Sequence, residues 1–234
     1  MGRQLPFLTN HKNMYNHLLS KENKQLVLKI PATILSDCQL SFNEKLILGL
    51  DYTFQSKKGY TQLSNSKIGQ LLNLHINIVA YSRKNLVQMG FLLKEGRKYT
   101  LTDKHKQLEV DDKREIYLPY EIYRHEDLLT GSKLLWGEYN SLSKGRREYF
   151  AKRSYTSRRM NASVESITNW TNQLNDYRLF KKYEHRKGYC TSQKVVITCE
   201  FKDGQKILDI THIQNPRGEW VLKRAKMLGL DEWE

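Results

Sequence analysis

Apolar and polar positions along this chain follow a pattern that occurs twice. Shifting the sequence by 88 residues aligns 28–92 with 116–180 without a gap, pairing Pro31 with Pro119, Ile34 with Ile122, Leu40 with Leu128, Lys45 with Lys133 and Leu46 with Leu134. Gly49 then meets Gly137, Ser66 meets Ser154, Asn73 meets Asn161 and Leu86 meets Leu174. Positions that differ keep their character, as Leu48/Trp136, Leu72/Met160, Ile76/Val164, Val79/Ile167 and Phe91/Leu179 do, which is expected when two copies bury the same faces.

Each copy reads as three helices followed by a hairpin. Ser41 with Glu44 three residues later is a capping box, and Phe42, Leu46, Gly49 and Leu50 mark one face of the helix it starts. Thr130 or Gly131 opens the matching helix, with Leu134, Leu135 and Trp136 inside. The second helices are predicted at about 66–72 and 154–160, with Ser66 and Ser154 as N-caps. Asn73-Leu74-His75 and Asn161-Ala162-Ser163 then form three-residue turns, because Asn tolerates left-handed backbone and His or Ser can open the next helix. The third helices bury Val79 and Leu86, or Ile167 and Leu174. A strand through 89–93, a Gly turn and a return through Tyr99-Thr100-Leu101 make the first hairpin. The second runs through 179–183, a basic turn at 185–188 and a return over 195–198. In the tail, Asn215-Pro216-Arg217-Gly218 is a turn signal and 220–228 reads as a short amphipathic helix.

Charge changes the picture from architecture to partner. The 234 residues carry 39 Lys+Arg against 25 Asp+Glu, a formal charge of +14, so the surface suits an anionic partner. The excess is concentrated: 144–188 contains twelve Lys/Arg and four Asp/Glu, more than half of it. No apolar run is long enough to span a bilayer, and the N-terminus lacks a secretory h-region, so the expected location is cytoplasmic and nucleoid-associated, with no membrane partner. Cys38, Cys190 and Cys199 are too scattered for a zinc site, although Cys190 and Cys199 fall where neighbouring strands are expected. Phosphate-loop, dinucleotide, HExxH and His-x-His motifs are missing, and a lone Tyr is a weak nucleophile, so no catalysis, cofactor or metal is expected.

The stretches LKIPATILSDCQLSFNEKLILG with SNSKIGQLLNLHINIVAYSRKNLVQMGFL, and IYLPYEIYRHEDLLTGSKLLWGEYNSLSKG with YTSRRMNASVESITNWTNQLNDYRLF, resemble winged-helix domains. Over about 28–200 the chain looks like the tandem winged-helix proteins of phages and plasmids, including replication initiators and DnaD-like replisome organisers. The resemblance implies an α+β, mainly α fold with two tandem winged helix-turn-helix domains and β-hairpin wings. Domain 1 would span 28–102 and domain 2 116–201, with a linker at 103–115, an N-terminal extension at 1–27 and a tail at 202–234. Two positions depart from the family pattern: Arg83, where the apolar face usually continues, and Arg178, where a Gly usually ends the recognition helix.

In that fold the third helix enters the major groove, and short polar side chains on its outer face reach base edges. The second copy offers Ser163, Glu165, Ser166, Thr168, Asn169 and Asn172. Asn169 suits adenine, and Glu165 suits a cytosine amino group. The first copy offers His75, Asn77, Tyr81 and Lys84 on a more apolar face, where Ile78 and Tyr81 fit a thymine methyl or another protein surface equally well. Phosphate-facing positions are Lys144, Arg146, Arg147, Lys152, Arg153, Arg158 and Arg159 around the second helix of copy two. Its wing adds Lys181, Lys182, Arg186 and Lys187, and the first wing adds Lys94, Arg97 and Lys98. Tyr149, Phe150 and Tyr155 interleave with the basic run and read as core or as stacking platforms. Two unlike reading helices in one chain would cover two unlike half-sites, roughly 10 bp apart. The expected function is sequence-specific binding of double-stranded DNA, starting or organising replication of a phage, plasmid or other mobile element. The alternative is a transcriptional repressor or activator on the same scaffold. Expected protein partners are a helicase or its loader in the first case and RNA polymerase in the second, with the chain a monomer or homodimer.

Overall fold

A computed structural model describes residues 26–106, 113–143, 149–150, 152–187, 192–202, 205–207, 212–214 and 220–222. The fold is α+β, with helices packed against antiparallel sheets of two strands. The first half contains β1 (Leu28–Pro31), α1 (Ala32–Ser36), α2 (Phe42–Lys58), α3 (Asn65–Leu72), α4 (Ile76–Gln88), β2 (Leu92–Glu95) and β3 (Lys98–Leu101). After a 3-10 turn at Asp103–Lys106, the order recurs as β4 (Glu115–Leu118), α5 (Tyr120–Tyr123), α6 (Thr130–Ser143), α7 (Arg153–Met160), α8 (Val164–Asp176), β5 (Phe180–Lys187) and β6 (Ser192–Thr198). Three-residue strands follow: β7 (Glu200–Lys202) pairs with β8 (Gln205–Ile207), and β9 (His212–Gln214) with β10 (Trp220–Leu222). The predicted helix at 220–228 is therefore corrected at its start. Trp220–Leu222 is a strand paired antiparallel with His212–Gln214, and the residues beyond it lie outside the described set.

Local chemistry sets the helix boundaries. Ser41 and Glu44 form the expected capping box at the start of α2. The N-cap of α3 is Ser64, which accepts from the Lys67 amide, and not Ser66, which lies inside the first turn. α7 begins after Lys152 with no side-chain cap, so Ser154 is also inside its helix. Both turns behave as read: Asn73 and Asn161 adopt left-handed backbone at φ 53° and 49°, and His75 and Ser163 cap the helices that follow. Gly90 ends α4 at φ 76°, and Arg178, its equivalent under the shift, takes φ 54°. Hairpin strands start later or run longer than predicted, at Leu92 and over Phe180–Lys187. Each hairpin gains a third chain segment by a bridge, Thr61 to Tyr99 in one half and Tyr149 to Val196 in the other, again 88 residues apart at the first partner.

The halves share a core. β1 pairs antiparallel with β4, and Lys29 faces Tyr117, its own equivalent under the shift, while Leu28 faces Leu118 and Ile30 faces Ile116. This register is that of a two-fold axis passing between Lys29 and Tyr117. Glu115, read as linker, is the first residue of β4, so sheet pairing starts directly after the charged connection. Gly49 and Gly137 let α2 and α6 lie on this sheet. A Cβ on Gly49 would come 2.3 Å from Ile30 Cγ1, and one on Gly137 2.7 Å from Leu118 Cδ2.

Candidate functional site

Two buried lysines fix how the halves meet. Lys45 on α2 donates from Nζ to the Met160 carbonyl at 3.0 Å, and Lys133 on α6 donates to the Leu72 carbonyl at 3.0 Å. Leu72 and Met160 are the last residues of α3 and α7, where helix carbonyls lack intrahelical partners and the dipole favours a cation. Each half thus holds the helix that precedes the other half's exposed helix. Burial lowers both ammonium groups to a pKa of about 8, with Asp37 and Cys38 opposing the shift at Lys45. Further links cross the same seam. Asn73 Nδ2 donates to the Glu126 carbonyl at 3.0 Å, Thr130 Oγ1 donates to Asn43 Oδ1 at 2.7 Å, and Phe42 meets Trp170 edge-on at 4.7 Å.

Behind each exposed helix the two halves use different chemistry at equivalent positions. In the first, Arg83 on α4 is 2% exposed and pairs with buried Asp51 at 3.1 Å. It also donates to the Leu63 carbonyl at 2.7 Å and lies 4.0 Å over the Tyr99 ring. The departure at Arg83 is therefore an internal strut that joins α2, α4 and the hairpin. Burial raises the Asp51 pKa, and the neighbouring guanidinium opposes that rise. In the second half the equivalent pair is Tyr139 and Thr171, whose hydroxyls lie 3.0 Å apart and buried. Burial pushes the Tyr139 hydroxyl up to about 12.

α8 buries Ile167, Trp170, Thr171 and Leu174 and exposes Glu165, Asn169 and Asn172. The other three expected reading residues are committed locally. Ser163 Oγ accepts from the Ser166 amide and donates to Ser166 Oγ, and Thr168 Oγ1 donates to the Val164 carbonyl while accepting from Arg153. On α4, Asn77, Tyr81 and Lys84 are exposed. His75 is exposed too, but its Nδ1 accepts from the Asn77 amide as an N-cap.

The cations divide in the same way. Lys152, Arg158, Lys94, Arg97 and Lys98 are exposed, and Lys182 is half-buried. Arg159, expected to face outward, instead pairs through Nε with fully buried Glu138, which also meets Arg114 at 3.4 Å. A buried carboxylate requires such partners. Arg153 is drawn onto Thr168 Oγ1 and the Tyr183 hydroxyl, and Lys181 lies 3.8 Å from Glu200. Lys144, Arg146 and Arg147 fall outside the described residues; Arg186 and Lys187 lie in β5, where only the backbone is described. Of the three interleaved aromatics, Tyr149 packs on Tyr139 at 5.4 Å, while Phe150 and Tyr155 are exposed. Cys38 is exposed, Cys199 is buried with its Sγ donating to the Arg178 carbonyl at 3.6 Å, and Cys190 lies outside the described residues.

Neither the strut nor the crossing of the lysines follows from the sequence alone. A lone charged residue at an apolar helical position, Arg83, and a lysine recurring at the same place in both copies were the available signals. Among the described residues no His, Cys, Asp or Glu cluster could hold a metal, and no helix is long and apolar enough to cross a membrane. The fold and this surface define an α+β chain of two similar halves, each showing a helix after a tight turn beside a basic hairpin. Compared with protein-family models and with curated proteins, the chain matches none.

Proposed function

We propose that this chain is a sequence-specific double-stranded DNA-binding protein on a tandem winged-helix scaffold, and that it initiates or organises replication of a phage, plasmid or mobile element. One observation carries the reading: α8 turns Glu165, Asn169 and Asn172 outward from a helix whose opposite face is core, with Lys152 and Arg158 exposed at the ends of the preceding helix. Amide and carboxylate groups on such a face match base edges, and the flanking cations match phosphates. The resemblance of both halves to winged-helix domains supports the same assignment.

The test is titration of the full chain against duplex DNA. Substituting Lys152 and Arg158 by Ala should weaken binding on every sequence and reduce the slope of log affinity against log salt by about 0.9 per lost phosphate contact. Asn169→Ala should mainly relax sequence preference. Unchanged affinity and salt slope in the double variant would overturn the assignment. Mapping the bound genomic sites then separates repeated sites in an origin from one or two sites over a promoter.

A further inference from the structure

The exposed faces of α4 and α8 differ in kind. Equivalent positions carry Ile76 and Val164, Asn77 and Glu165, Ile78 and Ser166, Tyr81 and Asn169, Lys84 and Asn172. On α4 the apolar members are out in solvent: Ile76 is 45% exposed, Ile78 40% and Tyr81 68%. Val79, Ser82, Arg83 and Leu86 form the buried face opposite, so this ridge has no role in the core of its own half. Ile78 and Tyr81 stand three residues apart, neighbours on one side of the helix.

We infer that α4 reads thymine through the methyl group in the major groove, with Ile78 and Tyr81 as the contacting side chains, so that the two half-sites are read by different chemistry. This rests on the DNA-binding reading above. Thymine alone displays a methyl in the major groove, and apolar side chains recognise it by burial. The choice of DNA over a protein as occupant comes from charge. α4 contains no Asp or Glu, Lys84 lies on the ridge itself, and Lys94, Arg97 and Lys98 stand exposed on the adjoining hairpin against Glu95 alone. An apolar ridge set among cations matches methyl groups set between phosphates. α8 exposes Glu165, Asn169 and Asn172 on that side and Val164 as its one exposed apolar residue, so it has no counterpart of the Ile78 and Tyr81 ridge and reads hydrogen-bonding edges.

The experiment selects duplexes from a random library with the full-length chain, then replaces thymine by uracil in each half of the selected site. Uracil removes only the methyl. One half should be rich in thymine, and there each contacted methyl lost should weaken binding about fourfold, the value of one buried carbon. The other half should tolerate uracil. Ile78→Ala with Tyr81→Ala changes only exposed side chains, and this variant should bind thymine and uracil sites equally. Asn169→Ala should keep the uracil effect while altering selection in the other half. Sequence-dependent binding with no uracil effect in either half would overturn this inference and leave DNA binding standing. Selection of a single half-site, unaffected by the Ile78 and Tyr81 substitutions, would do the same and assign the ridge to a protein. No binding to any duplex would overturn both readings.

Discussion

Replacing both crossed lysines, Lys45→Met and Lys133→Met, should remove a rise of stability with pH that the native chain shows between pH 8 and 10. In the unfolded chain these groups titrate near 10.5, and in the folded protein burial lowers them to about 8. Between those values the unfolded state holds protons that the folded state has released, so raising the pH favours folding. The effect is about 1.4 kcal/mol per pH unit for each lysine, on the order of 3–5 kcal/mol for the pair across the window. At pH 7 each charged lysine carries a cost of about 3 kcal/mol relative to the unfolded chain, by the same conversion. The Met variant relieves that cost but leaves the Met160 and Leu72 carbonyls without these donors, worth about 1–3 kcal/mol each. Its stability at pH 7 should therefore stay near native. Above pH 10 Tyr52 and Tyr139, both raised to about 12, reverse the sign, because the folded state now retains protons the unfolded chain loses. Urea midpoints at constant ionic strength from pH 7 to 11 should give a maximum near pH 10 in the native chain. The variant should show no rise and the same fall. An equal rise in both chains would refute the assignment of the slope to these lysines.

Three other substitutions test the internal framework. Arg83→Thr strands the Asp51 carboxylate and should cost about 3–5 kcal/mol, while adding Asp51→Tyr copies the Tyr139–Thr171 pair and should recover at least half; a double variant no more stable than the single one would contradict the equivalence of the two pairs. Arg178→Gly relieves left-handed backbone on a side-chain-bearing residue and should raise stability by about 0.5–1 kcal/mol, seen as a melting temperature higher by a few degrees. Gly49→Ala should cost about 1–3 kcal/mol through its clash with Ile30 Cγ1 and Cδ1, and in an Ile30→Ala background, which removes both atoms, the same substitution should cost much less in a denaturant titration.

What the sequence disclosed and what it hid follow from the range of the forces involved. Caps and turns are decided within four residues, so Ser41 with Glu44 and the left-handed Asn73 and Asn161 were visible directly. The buried stripe of Val79, Leu86, Ile167 and Leu174 was visible because helical period is local. Exposure of a cation is not local. Arg158 and Arg159 are neighbours in a basic run, yet one is in solvent and the other is drawn to Glu138, twenty-one residues earlier in sequence and fully buried. Likewise the hydroxyls of Ser163 and Thr168 count as reading groups in the sequence, which shows a hydroxyl but not the bond it makes: Ser163 accepts from the Ser166 amide and Thr168 donates to the Val164 carbonyl. The C-terminal strand was misread because a three-residue element has too few positions to distinguish a period of two from one of 3.6.

The identities in the repeat acquire a meaning that their number alone does not give. Lys45 and Lys133, Gly49 and Gly137, and Asn73 and Asn161 sit where the geometry demands the same chemistry twice: a cation on a helix end, no Cβ against the central sheet, a left-handed turn. Where the demand is only that two helices be joined, the halves differ, an ion pair in one and a hydroxyl pair in the other. Where the surface faces outward they differ most, Ile78 and Tyr81 against Ser166 and Asn169. A frame held identical at its joints lets two unlike outward faces keep a fixed spacing, because each half's lysine anchors the helix that precedes the other half's face. On the proposed DNA-binding function, the two faces should therefore act on one continuous duplex, and weakening a joint should disturb binding at both half-sites.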